Sequence, residues 1–152
     1  MRVVSCFSTM LRNTEGSNLV ELALALPMLL LILTAAVDLG EAFYTGIELS
    51  GSAHDGALYG VHNPTDVAGM KSAAQNGSAN LSGFVASATY GCECSDGSAA
   101  VSSCGTPPTC ASNYVNYVDV TVTASYSPII SFAGVPSAST FRSEARMRAG
   151  GN

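Results

Sequence analysis

The chain has 152 residues, of which only 11% are charged, and its 6 basic residues are outnumbered by 11 acidic ones, for a net charge of −5. This length suits one modest domain and is short for most enzymes, and the charged fraction is less than half of the roughly 25% usual in soluble domains. The absence of a basic surface excludes nucleic-acid binding, because nothing would neutralise the phosphates. The low charge predicts that part of the chain avoids water.

An uncharged run of 16 residues occupies positions 22–37, between Glu21 and Asp38. As a helix it would rise about 24 Å, slightly less than the roughly 30 Å hydrocarbon core of a bilayer. Extending the helix back to Leu19 gives a spanning length if Glu21 is tolerated at the bilayer edge. We therefore predict a transmembrane helix over residues 17–37.

The distribution of basic residues predicts the orientation of this helix. Arg2 and Arg12 precede it, and no basic residue follows before Lys71. The positive-inside rule then places the N-terminus in the cytoplasm, and residues 38–152 would be translocated across the membrane. Pro27 removes one backbone hydrogen bond within the run, which predicts a helix kink there.

An amphipathic extension of the helix is predicted over residues 38–62. Leu39, Phe43 and Ile47 recur at helical spacing with acidic residues between them. Glycines in this stretch disfavour a helix in water, so a frayed or broken second half is the alternative. Asn63-Pro64 marks the expected end.

The remaining residues, 63–152, predict a small α+β domain. A short helix over 65–76 would have Thr65 as its N-cap. Alternating patterns predict three strands, over 84–90, 118–126 and 141–148, in an antiparallel sheet that packs on the amphipathic helix. A loop rich in glycine, serine and cysteine would occupy residues 91–113, and a second loop residues 127–138.

The stretch before the apolar run resembles the type IV prepilin signal. It reads Asn13-Thr-Glu-Gly16-Ser17-Asn-Leu-Val-Glu21. In that family a membrane aspartic peptidase cuts after the glycine, and a glutamate is the fifth residue of the mature chain. Gly16, Ser17 and Glu21 match these positions, so the resemblance implies a leader peptide over residues 1–16.

A narrower resemblance links the same region to the TadE-like pseudopilins of the Tad (Flp) pilus system. It rests on Val20-Glu21-Leu-Ala-Leu-Ala-Leu-Pro27 and on Asp55-Gly56-Ala57. The family usually has an aromatic residue after the glutamate and an arginine near the Gly-Ala step, where Leu22 and Leu58 stand here. The resemblance implies a pilin-like α+β fold, with a long N-terminal helix packed on a small sheet.

The function implied is that of a minor pilin or pseudopilin in a Tad pilus or related secretion system, active in pilus assembly and adhesion. Its expected partners are prepilin peptidase, other pilins or pseudopilins and the inner-membrane assembly platform. In an assembling filament, the Glu21 carboxylate would pair with the new Ser17 α-amine of a neighbouring subunit. The alternative is that Glu21 is only an acid in the first helical turn, favoured by the helix dipole.

A different processing signal supports a different class of protein. Thr34-Ala35-Ala36 has the small residues that signal peptidase prefers, although a long polar segment precedes the apolar run. The alternative function is a secreted or membrane-anchored, disulfide-containing binding module that is unrelated to a filament.

Cys6 would be removed with the leader, which leaves four cysteines. Because a bridge between Cys92 and Cys94, which are separated only by Glu93, would be strained, we expect each to pair with either Cys104 or Cys110, with the connectivity open. A four-cysteine zinc site is the alternative, but the spacing is not that of structural zinc. We expect no cofactor, metal or catalytic site, since no motif for one is present.

Overall fold

The computed structural model describes residues 14–78, 80–129 and 137–150. Their contacts divide them into two units, within residues 1–40 and 41–152. A long N-terminal helix and a four-stranded antiparallel sheet confirm the predicted α+β class. The elements are helices α1 (Thr14–His62) and α2 (Val67–Asn76) and strands β1 (Val85–Cys94), β2 (Ala100–Val101), β3 (Tyr114–Tyr126) and β4 (Ser139–Ala149).

The apolar run exposes its side chains. Leu24 is 73% exposed, Met28 69% and Ile32 65%. Helix α1 is long and apolar enough to cross a membrane, and none of its most apolar window is buried. Pro27 lies inside this helix. The kink at Pro27 stays a prediction.

The second unit contains the sheet, with strand order β2-β1-β3-β4. Strand β3 is central and pairs with β1 on one side and with β4 on the other. Val118, Val120 and Val122 are fully buried, as their period-two spacing predicts. Strand β4 places Phe141 and Met147 against the same core.

The predicted loop over residues 91–113 is partly wrong. Strand β1 continues to Cys94, and β2 pairs with it in the register Cys92 to Val101 and Glu93 to Ala100. Cysteine and glycine are typical of loops, but bonded cysteines here are small buried side chains that a strand accommodates.

The N-cap of α2 is Asp66, and the prediction of Thr65 is wrong. Asp66 Oδ1 accepts a hydrogen bond of 2.9 Å from the backbone N–H of Gly69, which satisfies a free donor of the first turn. Its Oδ2 accepts a 2.8 Å bond from the Tyr59 hydroxyl of α1. These two bonds lower the pKa of Asp66, with the bond from Gly69 as the larger cause.

Within the second unit, α1 continues as a helix to His62, which contradicts a broken second half. Its buried side chains, which include Leu49, Ala53 and Ala57, lie on one face of the helix, and Gly56 lies where this face meets α2 and β3. A Cβ atom at Gly56 would lie 2.9 Å from the carbonyl oxygen of Met70 and 3.0 Å from Val120 Cγ1. The glycine therefore permits close helix packing that offsets its low helix propensity.

Gly56→Ala is expected to destabilise the protein by about 1–2 kcal/mol, because the added methyl group meets backbone that cannot move aside. Gly51→Ala is the matched control in the same helix, since a Cβ there has nothing within 4 Å. It should stabilise by about 0.5–1 kcal/mol. Denaturant unfolding of the full chain in detergent micelles, followed by circular dichroism, measures the free energy of unfolding of both variants. Equal changes in Gly56→Ala and Gly51→Ala would contradict the close packing at Gly56.

Candidate functional site

The residues predicted for processing and docking lie near the start of α1. Gly16 and Ser17 fall within the helix, two and three residues after Thr14. Glu21 is exposed. Positions 17 and 21 are four residues apart, so they lie one turn apart on the same side of the helix.

A second exposed surface lies on α1 within the second unit. Phe43, Ile47 and Leu58 are 66%, 71% and 49% exposed, and Gly51 between them has open space at its Cβ position. We call Phe43, Ile47, Gly51 and Leu58 the outer face of α1. Gly56 permits close packing, whereas no atom of the described part of the chain lies within 4 Å of a Cβ position at Gly51. An apolar stripe with a glycine notch is typical of helices that pack against another helix.

The same stretch of helix matches a known family. Residues 16–58 match the model of the TadE-like protein family. Over these residues the chain is similar to TadE-like proteins. TadE-like proteins are components of Tad pilus assembly. The TadE-like segment begins at Gly16 and ends at Leu58, so it contains Glu21 and the whole outer face of α1. No curated protein and no solved structure matches the chain.

Two disulfides lie outside the TadE-like segment and connect the end of β1 to the segment that follows β2. Cys92 is bonded to Cys104 and Cys94 to Cys110, with Cα–Cα distances of 5.2 and 5.5 Å. The sequence left this connectivity open. Because all four sulfur atoms are bonded in pairs, they do not form the alternative zinc site. Closing segments of 12 and 16 residues restricts the unfolded chain and stabilises a loop with few apolar side chains of its own.

Glu93 stands between the two bonded cysteines and points to the opposite face of the sheet. Its carboxylate accepts bonds from Arg146 Nη2 at 2.5 Å and from Arg148 Nε at 2.6 Å. The side chain of Glu93 is only 12% exposed, whereas the arginines are 44% and 55% exposed. The bond from Arg148 is the main reason that the pKa of Glu93 is lowered, and partial burial opposes it.

An aromatic ring completes this cluster. Arg146 lies 3.9 Å from the centroid of the Tyr117 ring, which is a cation–π distance. The ring lies over Gly91, where a Cβ atom would be 2.6 Å from Tyr117 Cζ. Glycine at this position therefore permits the stacking.

Sequence reasoning did not find this cluster. Arg146 and Arg148 share the polar face of the strand predicted over residues 141–148, but their partner Glu93 belongs to the segment that was predicted to be a loop. The one available signal was the Cys-Glu-Cys spacing. In a strand, residues 92 and 94 share one face and Glu93 takes the other.

Glu93→Gln is expected to lower the free energy of unfolding by about 1–2 kcal/mol at pH 7, because two charge-assisted bonds are weakened. Since the folded pKa of Glu93 is lowered, this stabilisation is present above the unfolded pKa of about 4.3 and is lost as the pH falls through the folded value. The difference between variant and wild type should therefore narrow below about pH 4.

Denaturant unfolding at pH 7 and pH 3 measures this difference. Glu144→Gln is the matched control on the same face, because Glu144 is 47% exposed and pairs with Arg142, which is 64% exposed. An exposed pair of this kind contributes about 0–1 kcal/mol. A Glu93→Gln variant as stable as wild type at pH 7 would contradict the assigned role.

Proposed function

We propose that this chain is a minor pilin or pseudopilin of a Tad pilus or related secretion system. It would be cut by prepilin peptidase and held in the inner membrane or built into the fibre, where it supports assembly and adhesion. The observation that carries the proposal is the TadE-like match, which starts at Gly16 and covers an exposed apolar helix.

The proposed cleavage divides the Gly16–Ser17 bond. Glycine has no side chain, so the backbone can approach closely in a narrow peptidase site. Residues 1–16 would be the leader, residues 17–37 the membrane-spanning segment and residues 38–62 its amphipathic extension. Residues 63–152 would form the periplasmic domain, since the positive residues that precede the helix favour a cytoplasmic N-terminus.

Cleavage would create an α-amine at Ser17, four residues before Glu21. A carboxylate near the hydrocarbon region is unfavourable unless it is paired. Pairing of the Glu21 carboxylate with the α-amine of a neighbouring subunit would neutralise both charges. Because the energy of this ion pair depends on the distance between the two groups, the pair would fix the relative position of the two helices. Glu21 would then serve as the docking residue of the filament.

The outer face of α1 supports lateral assembly. Phe43 and Ile47 expose most of their side chains, and each contributes about 1.5–3 kcal/mol when it is buried fully. Another helix of the fibre is the partner that this proposal assigns to the face. The folded sheet unit would remain available for other partners.

Mass spectrometry of the mature protein from its native host tests the processing step. The N-terminal residue should be Ser17. A chain that begins at Met1 would contradict processing, and one that begins at Val37 would indicate signal-peptidase cleavage and a secreted protein. Gly16→Leu should leave the uncut chain in the membrane, because a large side chain obstructs the peptidase site.

Glu21→Gln tests docking separately from processing. The variant keeps the size of the side chain but removes its charge, so it should be cut and accumulate normally while pilus incorporation falls at least about tenfold, as expected for the loss of one charge-assisted pair.

Glu15→Gln is the matched control, because Glu15 lies in the proposed leader and the mature chain would be unchanged. Quantitative immunoblotting of sheared fibres and of membranes measures both variants. Normal incorporation of the Glu21→Gln protein would contradict the docking role.

A further inference from the structure

The two disulfides of the second unit cross along the sequence. Cys92 is bonded to Cys104 and Cys94 to Cys110, so each bond skips the cysteine that comes next in the chain. Four cysteines allow three fully bonded connectivities. Of these, only the observed one contains no bond between cysteines that are consecutive in the sequence.

The two cysteines of β1 do not determine their partners by themselves. Cys92 and Cys94 are two residues apart in one strand, so they lie on the same face, and both are fully buried. The pairing of β1 with β2 sets Val101 opposite Cys92, and Cys104 follows Val101 by three residues. Because three residues span at most about 10 Å, this local hairpin leaves Cys104 within reach of both cysteines of β1.

Strand β3 supplies contacts that favour the observed pairing. In the register of β1 and β3, Asn116 lies opposite Cys92 and Tyr114 opposite Cys94. Asn116 Oδ1 is 3.2 Å from Cys92 Sγ and 3.6 Å from Cys104 Sγ, so one side chain of β3 contacts both sulfur atoms of the first bond. The observed connectivity is therefore favoured by a strand that is synthesised after all four cysteines.

The order of synthesis favours other bonds first. A chain that crosses the membrane from its N-terminal side exposes Cys92, Cys94, Cys104 and Cys110 in this order, before β3. Synthesis from Cys92 to the end of β3 takes roughly 2–7 s at about 5–20 residues per second, and disulfides form within seconds to hours. An oxidase that acts on the thiols as they emerge therefore joins consecutive cysteines before β3 favours the crossed pairs.

We infer that a thiol–disulfide isomerase, in the compartment that receives residues 38–152, converts consecutive cysteine pairs into the crossed pairs. The isomerase step rests on the proposed function, which translocates these residues. Each bond first forms when two cysteine thiols lose two electrons and two protons, which the disulfide of a dithiol oxidase accepts. The isomerase then rearranges the bonds without further oxidation.

The rearrangement consists of three thiolate attacks. A thiolate of the isomerase attacks Cys94 in a Cys92–Cys94 bond, forms a mixed disulfide with it and releases the Cys92 thiolate. Cys92 then attacks Cys104 in a Cys104–Cys110 bond, and Cys110 leaves as a thiolate. Cys110 finally attacks the mixed disulfide at Cys94 and releases the isomerase thiolate, so the number of disulfides is unchanged. Burial of Cys92 and Cys94 in the folded sheet then hinders further attack.

Expression of the full chain in a bacterium that has a periplasmic oxidase, with or without its periplasmic isomerase, tests this inference. After free thiols are blocked by alkylation, peptide mass spectrometry measures the connectivity. A glutamate-specific protease cuts after Glu93, between the first two cysteines, and fragmentation at Pro107 separates the last two. The crossed connectivity should predominate with the isomerase. Without it, the crossed share should fall below about one third, which is the share expected if the three connectivities formed at random.

A matched control removes the possibility of mispairing. The double variant Cys94→Ser, Cys110→Ser keeps only Cys92 and Cys104 in the translocated part, so its bond should form to the same extent with and without the isomerase. Equal shares of the crossed connectivity in wild type from the two hosts would overturn the inference. Dependence of the double variant on the isomerase would overturn it as well, because its one pair has no wrong partner.

The oxidation state of the cysteines separates this inference from the proposed function. If the four cysteines of wild type are reduced in both hosts, the proposed translocation is contradicted, and the isomerase step that rests on it fails too. If they form the crossed pairs equally in both hosts, the translocation stands and the isomerase step alone is overturned.

Discussion

The exposure of the apolar run in α1 is the constraint on which the rest of the account depends. Leu24, Met28 and Ile32 each leave more than three fifths of their surface exposed. Apolar surface contributes about 25 cal/mol for each Å² removed from water, so the uncharged, largely apolar run over residues 22–37 strongly favours an apolar environment. A helix satisfies its own backbone hydrogen bonds, which suits such a segment to a membrane. A single-pass anchor is the arrangement that this helix suggests.

In the second unit, small side chains permit close packing of the core, and two disulfides stabilise one end of the sheet. Gly56 brings α1 close to α2 and β3. Ser52 Oγ donates a hydrogen bond to the carbonyl oxygen of Ala74 and lies 3.1 Å from Ser78 Oγ. At the other end of the sheet, two disulfides and the bonds of Glu93 hold a segment that is poor in apolar residues. The two units therefore satisfy different physical demands within one chain.

Local periodicity made the elements of the fold predictable. The valines of β3 alternate without interruption, and the long helix follows from its uncharged run and from the spacing of Phe43 and Ile47. The extent of β1 was not predictable in the same way, because disulfide pairing and stacking on Gly91 make a strand of residues that usually form loops. Asp66, which caps α2 in place of Thr65, also accepts a hydrogen bond from Tyr59 of α1, a tertiary contact that no local pattern specifies.

The candidate site, like the fold, includes residues that a local sequence pattern indicates and residues that are brought together only by tertiary contacts. Gly16, Ser17 and Glu21 were predicted as site residues because their spacing before an apolar run resembles a processing signal, and their roles stay predictions. The TadE-like match begins at Gly16. The Glu93 cluster was not predicted, since it joins residues that are distant in the sequence. Pairing of residues 93, 146 and 148 follows from strand order, which no local pattern specifies.

Zero-length carbodiimide cross-linking of assembled fibres tests the central claim most directly, because it joins a carboxylate only to an amine in contact with it. Peptide mass spectrometry should recover the Glu21 side chain of one subunit bonded to the α-amine of another. Mixed isotope labelling separates links between copies from links within one chain. A Glu21 that remains unlinked, or is linked only within its own chain, would contradict the account.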